Sequence, residues 1–357
     1  MGVIGSGRSA RVAAYAEVGA RLSLWSDRRL GEAVAAAPGL GSGIGGRSAE
    51  MEVEGRRVFV KRVPLTDLEL RPAHVRSTAN VFGLPLFYQY GVGSAGFGAW
   101  RELATHIMTT GWVLGDAYAG FPLLYHWRVL PDAPPTGFAD EFGGVAGAVA
   151  HWDGSPAVRN RLEAIGGSSA SLVLFLEHVP RTLGAWLGEA RAGQEKEVRS
   201  PYLWVEEELR RGTEFMSARG LVHFDAHFSN LLTDGRRVYF ADFGLALSRD
   251  FELSAEEHAF LADHLVYDRS YAPGHLLRHH LPDGVRGGAD HGAFLRAWVA
   301  GRRPPGVPAD LGAVISRHAR HAIVLDDFHR RLIAQSKATP FPAAEVRRAM
   351  GDVPSAR

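Results

Sequence analysis

One change of pattern constrains this chain more than any other feature. Apolar residues alternate in short runs up to about residue 177, whereas after Val179-Pro180 they recur at helical spacing. Alternation is the signature of a strand and a 3.6-residue recurrence that of a helix. The chain therefore predicts a strand-rich front half, a hinge near 177–183 and a mainly helical back half. In the front, MEVEG and RRVFVKRV flank a Gly-Arg turn, and FPLLYHWRVL and SLVLFLEHV read as two further strands. Residues 22–37 read as an amphipathic helix ended by Pro38-Gly39, and a second helix runs from about Trp100 to Thr110. Ser155-Pro156 opens another as N-cap and first-turn residue, the one helix expected in the Gly/Pro-rich stretch before the last strand. In the back half, Val205, Leu209, Gly212 and Met216 share a helix face that Gly220 terminates, and Asp234-Gly235 turns a hairpin. The expected class is α+β. Residues 1–38 form an N-terminal extension and helix, 39–180 the strand-rich part and 181–357 the helical part.

Composition narrows the function. At roughly 150 residues per domain, 357 residues suggest two domains or two large lobes. Values of 46% hydrophobic and 22% charged exclude wholesale disorder. Forty basic against 39 acidic residues leave a net charge of +1, which argues against a dedicated nucleic-acid or anionic-membrane binder. The absence of cysteine excludes disulfide scaffolds, thiol nucleophiles and cysteine-ligated metals. No run of about 18 apolar residues occurs, and the first 30 residues lack a continuous apolar stretch after a basic start. The expectation is a cytoplasmic protein with a short, loosely held N-terminus. MGVIGS formally fits a myristoylation pattern, but so short a pattern arises easily in a composition rich in Gly and Ser. Lysine occurs only at 61, 196 and 337, the other 37 of the 40 basic residues being arginine. Where arginine replaces lysine so widely, a retained ammonium marks a position whose chemistry a guanidinium does not reproduce.

Four signals carry chemistry, in a fixed order. The run from Gly41 to Gly46, GSGIGG, is a GxGxxG loop between two strands, and glycines let backbone N–H groups approach phosphate oxygens. A dinucleotide fold needs a helix directly after such a loop, whereas MEVEG alternates like a strand. Lys61 lies 15 residues beyond Gly46 inside the strand VFVKRV. Glu102 sits in the helix AWRELATHIM, where a carboxylate can orient a buried lysine. The strongest signal is HFDAHFSNLL followed by VYFADFG. Asp225 and Asn230 lie five apart, and Asp242-Phe243-Gly244 begins 12 residues after Asn230. One carboxylate for an acceptor hydroxyl, with an amide and a second carboxylate for magnesium, is the division of labour that phosphoryl transfer requires.

On these residues the chain resembles the protein-kinase-like superfamily, which includes eukaryotic-type protein kinases and the aminoglycoside and choline kinases. The resemblance runs from about Gly39 to the helices after residue 250. It implies a two-lobed fold that binds ATP and Mg²⁺, with Gly41, Gly43 and Gly46 over the phosphates. It implies that Lys61, paired with Glu102, holds the α- and β-phosphates, that Asp225 orients or deprotonates the acceptor hydroxyl, and that Asn230 and Asp242 bind Mg²⁺. Residues 176–179 would be the hinge, with backbone groups around Glu177 and Val179 reading the adenine edge.

The chain also departs from the protein-kinase pattern. His223-Phe224-Asp225 replaces His-Arg-Asp, which removes the arginine that pairs with an activation-loop phosphate. His227 stands where many Ser/Thr kinases have a lysine for the γ-phosphate, and is similar to the aminoglycoside and choline kinase branch. No Ala-Pro-Glu segment follows Asp242-Phe243-Gly244. Protein Ser/Thr is the leading acceptor, a small-molecule hydroxyl the close rival, and a nucleotide-binding pseudokinase the third reading; partners are a phosphate acceptor rather than nucleic acid or membrane. In a strand, His223, Asp225 and His227 would share a face that could hold zinc. The asparagine and the Asp-Phe-Gly run favour a structural His223 instead. His275, His279, His280, His318, His321 and His329 are expected on solvated surface, with a shared helix face at 318 and 321 as the alternative. Lys196 and Lys337 are expected on surface too, and the Asp326-Asp327 pair on a polar helix face, with contact to an acceptor as the alternative. The aromatic–glycine insert at 81–100 is read as packing for the Glu102 helix, with a substrate-facing surface as the alternative.

Overall fold

The computed structural model describes residues 3–43, 45–91, 93–193 and 200–351. Gly2 of the myristoylation pattern, Ile44 of the glycine loop and Lys196 lie outside them. The chain divides into two compact units. One comprises residues 1–179 with 242–246 and 251–254; the other comprises 180–241, 247–250 and 255–357.

The first unit opens with helices α1 (Val3–Ser23) and α2 (Asp27–Ala36) and strands β1 (Gly39–Gly43), β2 (Gly46–Val53) and β3 (Arg56–Leu65). Next come α3 (Asp67–Leu70), α4 (Ala99–Leu114), β4 (Leu124–Pro131), α5 (Val145–His151), α6 (Pro156–Gly166) and β5 (Ala170–Glu177). The strands form one antiparallel sheet in the order β1-β2-β3-β5-β4. Val63 and Leu65 of β3 and Leu172, Leu174 and Leu176 of β5 point to one face and pack with Ala99, Trp100 and Leu103 of α4. Lys61 shares that face with Val63 by the two-residue period of the strand.

Three expectations about this unit change. The single helix at 22–37 is two helices, because Ser26 accepts from Arg29 N–H and caps α2 while α1 ends at Ser23. From Arg11 on, the N-terminal extension is not loosely held. Ala14, Val18 and Leu22, spaced i, i+4, i+8, are buried, and Arg11 donates to both oxygens of Glu177 at 2.8 and 2.7 Å and to the carbonyls of Ala119 and Phe121. The Gly/Pro-rich stretch holds two helices, α5 and α6, and the expected Ser155 cap accepts from Val158 N–H. Their Val149, Trp152, Val158 and Leu162 form a small core with Leu84, Tyr88 and Phe97. The aromatic–glycine insert is therefore packing, but chiefly against this second insert.

The second unit contains β6 (Arg181–Thr182), α7 (Leu183–Arg191), α8 (Pro201–Ala218), β7 (Leu221–Val222), β8 (Leu231–Thr233), β9 (Val238–Phe240) and β10 (Leu247–Ser248). It continues with α9 (Ala255–His264), α10 (Tyr267–His279), α11 (His291–Val299), α12 (Ala309–Ala334) and α13 (Ala343–Met350). The long α12 packs against α8, α10, α11 and α13 and buries Leu311, Val314, Ile315, Leu325, Phe328 and Leu332 along one stripe. The surface expectation fails for Lys337, which is buried with its ammonium near the Leu332 carbonyl at 3.5 Å. It fails also for His321, which is buried between His318 and the Ser270 hydroxyl at 2.9 Å from each. His321 sits on the apolar stripe of α12 and Lys337 just beyond its end, away from the exposed face that carries Arg317, Arg320 and Arg330. Among the described residues no helix is long and apolar enough to cross a membrane.

The position of α4 rests on a buried ion pair. Its N-cap, Gly98, has φ of +143° and no side chain to satisfy the first N–H groups. Glu69 of α3 takes that place, accepting from Ala99 N–H at 2.8 Å, while its carbonyl accepts from the Trp100 indole at 3.0 Å. Its other oxygen accepts from Thr66 in a capping box and from Arg161 of α6 at 2.7 Å. Burial pushes the Glu69 carboxyl up, but Arg161, the Thr66 hydroxyl and the backbone donors of Ala99 and Thr66 outweigh it and hold the group below the usual carboxylate range. A depressed folded-state pKa contributes stability above the unfolded value and loses it as pH falls through the folded one. Arg161→Ala strands a carboxylate that is 2% exposed, and should cost about 3–5 kcal/mol in urea unfolding of this unit. Glu69→Gln in that background should restore part of the loss and flatten the acid limb of stability below about pH 4.

Candidate functional site

The expected site residues fall into two sets, one in each unit. In the first, β1 and β2 pair antiparallel so that Gly43 faces Gly46 across a two-residue turn. Gly46 has φ of +124°, and a Cβ there would meet the Arg62 carbonyl of β3 at 2.3 Å. Only glycine lets this hairpin lie so close to the lysine strand. A Cβ on Gly45 would stand 3.9 Å from Lys61 Nζ, so the ammonium lies beside the tip of the glycine turn.

Lys61 is 7% exposed and its Nζ lies 2.7 Å from Glu102 Oε1 and 2.7 Å from Asp242 Oδ1. Glu102 sits in the first turn of α4, the helix that the Glu69 pair holds on the lysine face of the sheet. Burial works against the Lys61 ammonium, but Asp242 and Glu102 reverse that and raise its pKa, so it stays charged. Burial pushes the Glu102 carboxyl up to about 7 against the pull of Lys61, and Asp242 adds to the push. One ammonium is thus shared by two carboxylates, of which Glu102 is sealed and Asp242 is 43% exposed at its side chain. The Asp242 backbone has φ of +62°, and its Oδ1 also accepts from Gly244 N–H at 3.4 Å. Phe243, fully buried, packs edge-on to His106 of α4 at 5.0 Å between ring centroids.

Glu177 ends β5 with its side chain taken by Arg11 and by Leu123 N–H at 3.1 Å. Its N–H donates to the Leu123 carbonyl at 2.8 Å. Any hinge role for Glu177 or the half-buried Val179 therefore belongs to other backbone groups than this N–H.

In the second unit the residues around Asp225 are ordered by one another. His223 donates from Nε2 to the Ala241 carbonyl at 2.9 Å, which fixes its tautomer and leaves Nδ1 to accept from Asp225 N–H at 3.3 Å. This is the structural role expected of His223. The Asn230 side-chain amide donates to the Asp225 backbone carbonyl at 3.1 Å and to Asp225 Oδ2 at 3.0 Å, while the Asn230 backbone carbonyl accepts from Ala241 N–H. Donation to Asp225 turns the amide so that its side-chain oxygen, a hard donor, is the atom left to meet a cation. His227 Nε2 lies 3.7 Å from Asp225 Oδ1. Among the described residues no group of three or more His, Asp and Glu side chains converges to hold a metal by itself.

A residue that the spacing of motifs did not reveal sets the shape of this loop. Asp268 of α10 is buried, and its two oxygens accept from His223 N–H at 2.6 Å and Phe224 N–H at 3.0 Å. Phe224 sits at φ of +63°, strained for a bulky residue, with its ring packed among Phe260, His264 and Tyr267. The pair of hydrogen bonds holds that conformation, and with it the direction of Asp225. Burial pushes the Asp268 carboxyl up to about 7, the two backbone donors oppose this, and Asp225 adds to it. A lone aspartate in the helical run VYDRSY is the signal that was present. Arg11 carried none.

No protein-family model matches the chain, and no curated protein matches it in sequence. The site is read from its own geometry.

A carboxyl raised above its unfolded pKa binds its proton more tightly in the folded state, so its ionisation lowers stability as pH rises from about 4 to about 7. A ¹³C-carboxyl titration of Asp268 should show a midpoint near 7. Asp268→Asn should abolish it, and should make the His223 and Phe224 amides exchange about tenfold faster, since an amide N–H then faces one of the two donors.

Proposed function

We propose that this chain is an ATP-dependent phosphotransferase of two-lobed, protein-kinase-like architecture that moves the γ-phosphoryl of MgATP to a hydroxyl. The observation that carries the reading is the Lys61 ammonium, sealed on the α4 face of the sheet, beside the glycine turn, and shared by Glu102 and Asp242. An ammonium kept charged in a dry site and backed by a carboxylate suits the α- and β-phosphates of a nucleotide. The Gly41–Gly46 hairpin supplies backbone N–H groups near those phosphates.

Asp225 is the group for the acceptor. As its oxygen takes the hydroxyl proton, the acceptor oxygen forms a bond to Pγ, the bond from Pγ to the β–γ bridging oxygen breaks, and ADP leaves with that electron pair. Asn230 holds Asp225 in place through two hydrogen bonds. Asn230 and Asp242 offer the oxygen donors that Mg²⁺ prefers, and the ion when bound neutralises charge on the β- and γ-phosphates. Oriented groups and local charge supply most of the rate in this chemistry, which is why a chain of net charge +1 can perform it.

Protein Ser/Thr is the leading acceptor. A small-molecule hydroxyl is the second reading, favoured by His227 close to Asp225 and by the further imidazole of His275, whose ring lies 6.0 Å from that of His227. Radiolabelled ATP offered with a panel of proteins and a panel of amino-sugars and amino-alcohols should label one class only.

Lys61→Arg keeps the charge but not the shape, and transfer or ATP hydrolysis should fall about 100-fold or more. Asp225→Asn should lower turnover by about 100- to 10,000-fold while ATP binding, measured calorimetrically, changes little. Unchanged turnover in Asp225→Asn removes the assignment and leaves a nucleotide-binding module.

A further inference from the structure

The segment that follows Asp242 has little regular structure to hold it, β10 being its only strand. Its residues 242–246 and 251–254 belong with the sheet-bearing unit, and there the insert between β3 and α4 grips both stretches. Gln89, 2% exposed, donates its side-chain N–H to the carbonyl of Leu245, itself buried. Gly96, at φ of +71°, passes so close to Gly244 that a Cβ would meet its carbonyl oxygen at 2.4 Å. Further on, the Glu252 carboxylate accepts from the Ser77 hydroxyl and from Thr78 N–H, and Glu252 N–H donates to the Thr78 hydroxyl at 2.8 Å. Arg101 of α4, next to Glu102, donates to the Thr78 carbonyl at 2.7 Å and lies over the Phe251 ring at 5.6 Å.

We propose that Gln89 and Thr78 are positioning residues, which strap the Asp242 segment to the sheet and hold it ready for the nucleotide's cation. The proposal rests on the phosphotransferase reading for its consequence, though not for the strap itself. Two features point the same way. The insert has its own core around Tyr88 and Trp152, which gives Gln89 a rigid base. The strap also joins α4, so the helix bearing Glu102 and the segment bearing Asp242 are held by one set of contacts on either side of Lys61.

Gln89→Glu keeps the shape and sets a carboxylate against the Leu245 carbonyl. Thr78→Val removes only the hydroxyl, and Thr78→Ser retains it. Amide exchange across 243–254 should rise about tenfold or more in Gln89→Glu and in Thr78→Val, with the rest of the sheet unit unchanged and Thr78→Ser like the natural protein. In the two loosened variants, the Mg²⁺ concentration needed for half-maximal ATP binding should rise severalfold, while ATP affinity without Mg²⁺ stays as it was. Exchange at the natural rate in both loosened variants overturns the strap. Faster exchange with unaltered Mg²⁺ dependence supports the strap and overturns the metal role of Asp242, and with it the phosphotransferase reading.

Discussion

The site depends on keeping one ammonium charged in a place that water barely reaches. An unpaired buried lysine neutralises rather than stay charged, and Lys61 avoids this only because two carboxylates reach it from separate parts of the chain. Glu102 comes from a helix and Asp242 from an irregular segment, so neither contact is local. Each must be delivered by packing. The surrounding architecture can be understood as the means of delivery: β3 sets the height of the lysine, α4 the depth of one carboxylate, and the insert the position of the other.

Delivery of α4 shows how buried polarity is handled. The helix starts at a glycine that offers no cap, and the missing acceptor is supplied by Glu69, itself made tolerable by Arg161 from a helix over 90 residues further along the chain. A buried pair of this kind adds little net stability over an apolar packing of the same shape. Its value lies in direction, because a carboxylate can satisfy the end of one helix and the side chain of another at once. Asp268 does the same for the loop carrying Asp225, with two backbone donors instead of a cation. In both units a sealed acid fixes the element that carries a further carboxylate, Glu102 in one and Asp225 in the other.

How much of this the sequence disclosed follows from the range of each signal. The strands, the α4 helix, the Ser155 cap and the Asp234-Gly235 turn were legible because a few neighbouring residues determine them. Lys61, Glu102 and Asp242 were legible as a group through their order, although their spacing says nothing of a 2.7 Å approach. The break at Ser26 and the capping box Thr66-x-x-Glu69 were local signals too, and a stricter scan for caps would have found them. Gln89, Arg11 and Arg161 were not legible, since each acts on a partner far along the chain and none sits in a telling pattern, and Asp268 was visible only as a lone aspartate in a helical run. The burial of His321 and Lys337 escaped for a related reason: polar residues on a long helix look solvated until four neighbouring helices are known to surround it.

The scarcity of lysine has a practical side. Of the three, Lys61 and Lys337 are both buried, at 7% and 4% exposure. Reagents that acylate free amines therefore meet a chain with very few targets, and attachment to an amine-coated surface or label would be sparse and slow. On the proposed reading, a nucleotide bearing an acylating group on its phosphates stands apart, since it would bring its own reactive carbon to the ammonium beside the glycine turn. In most proteins such a probe competes with a background of surface lysines. Here the background is nearly absent from the sequence itself, so the modified residue could be read from a single peptide.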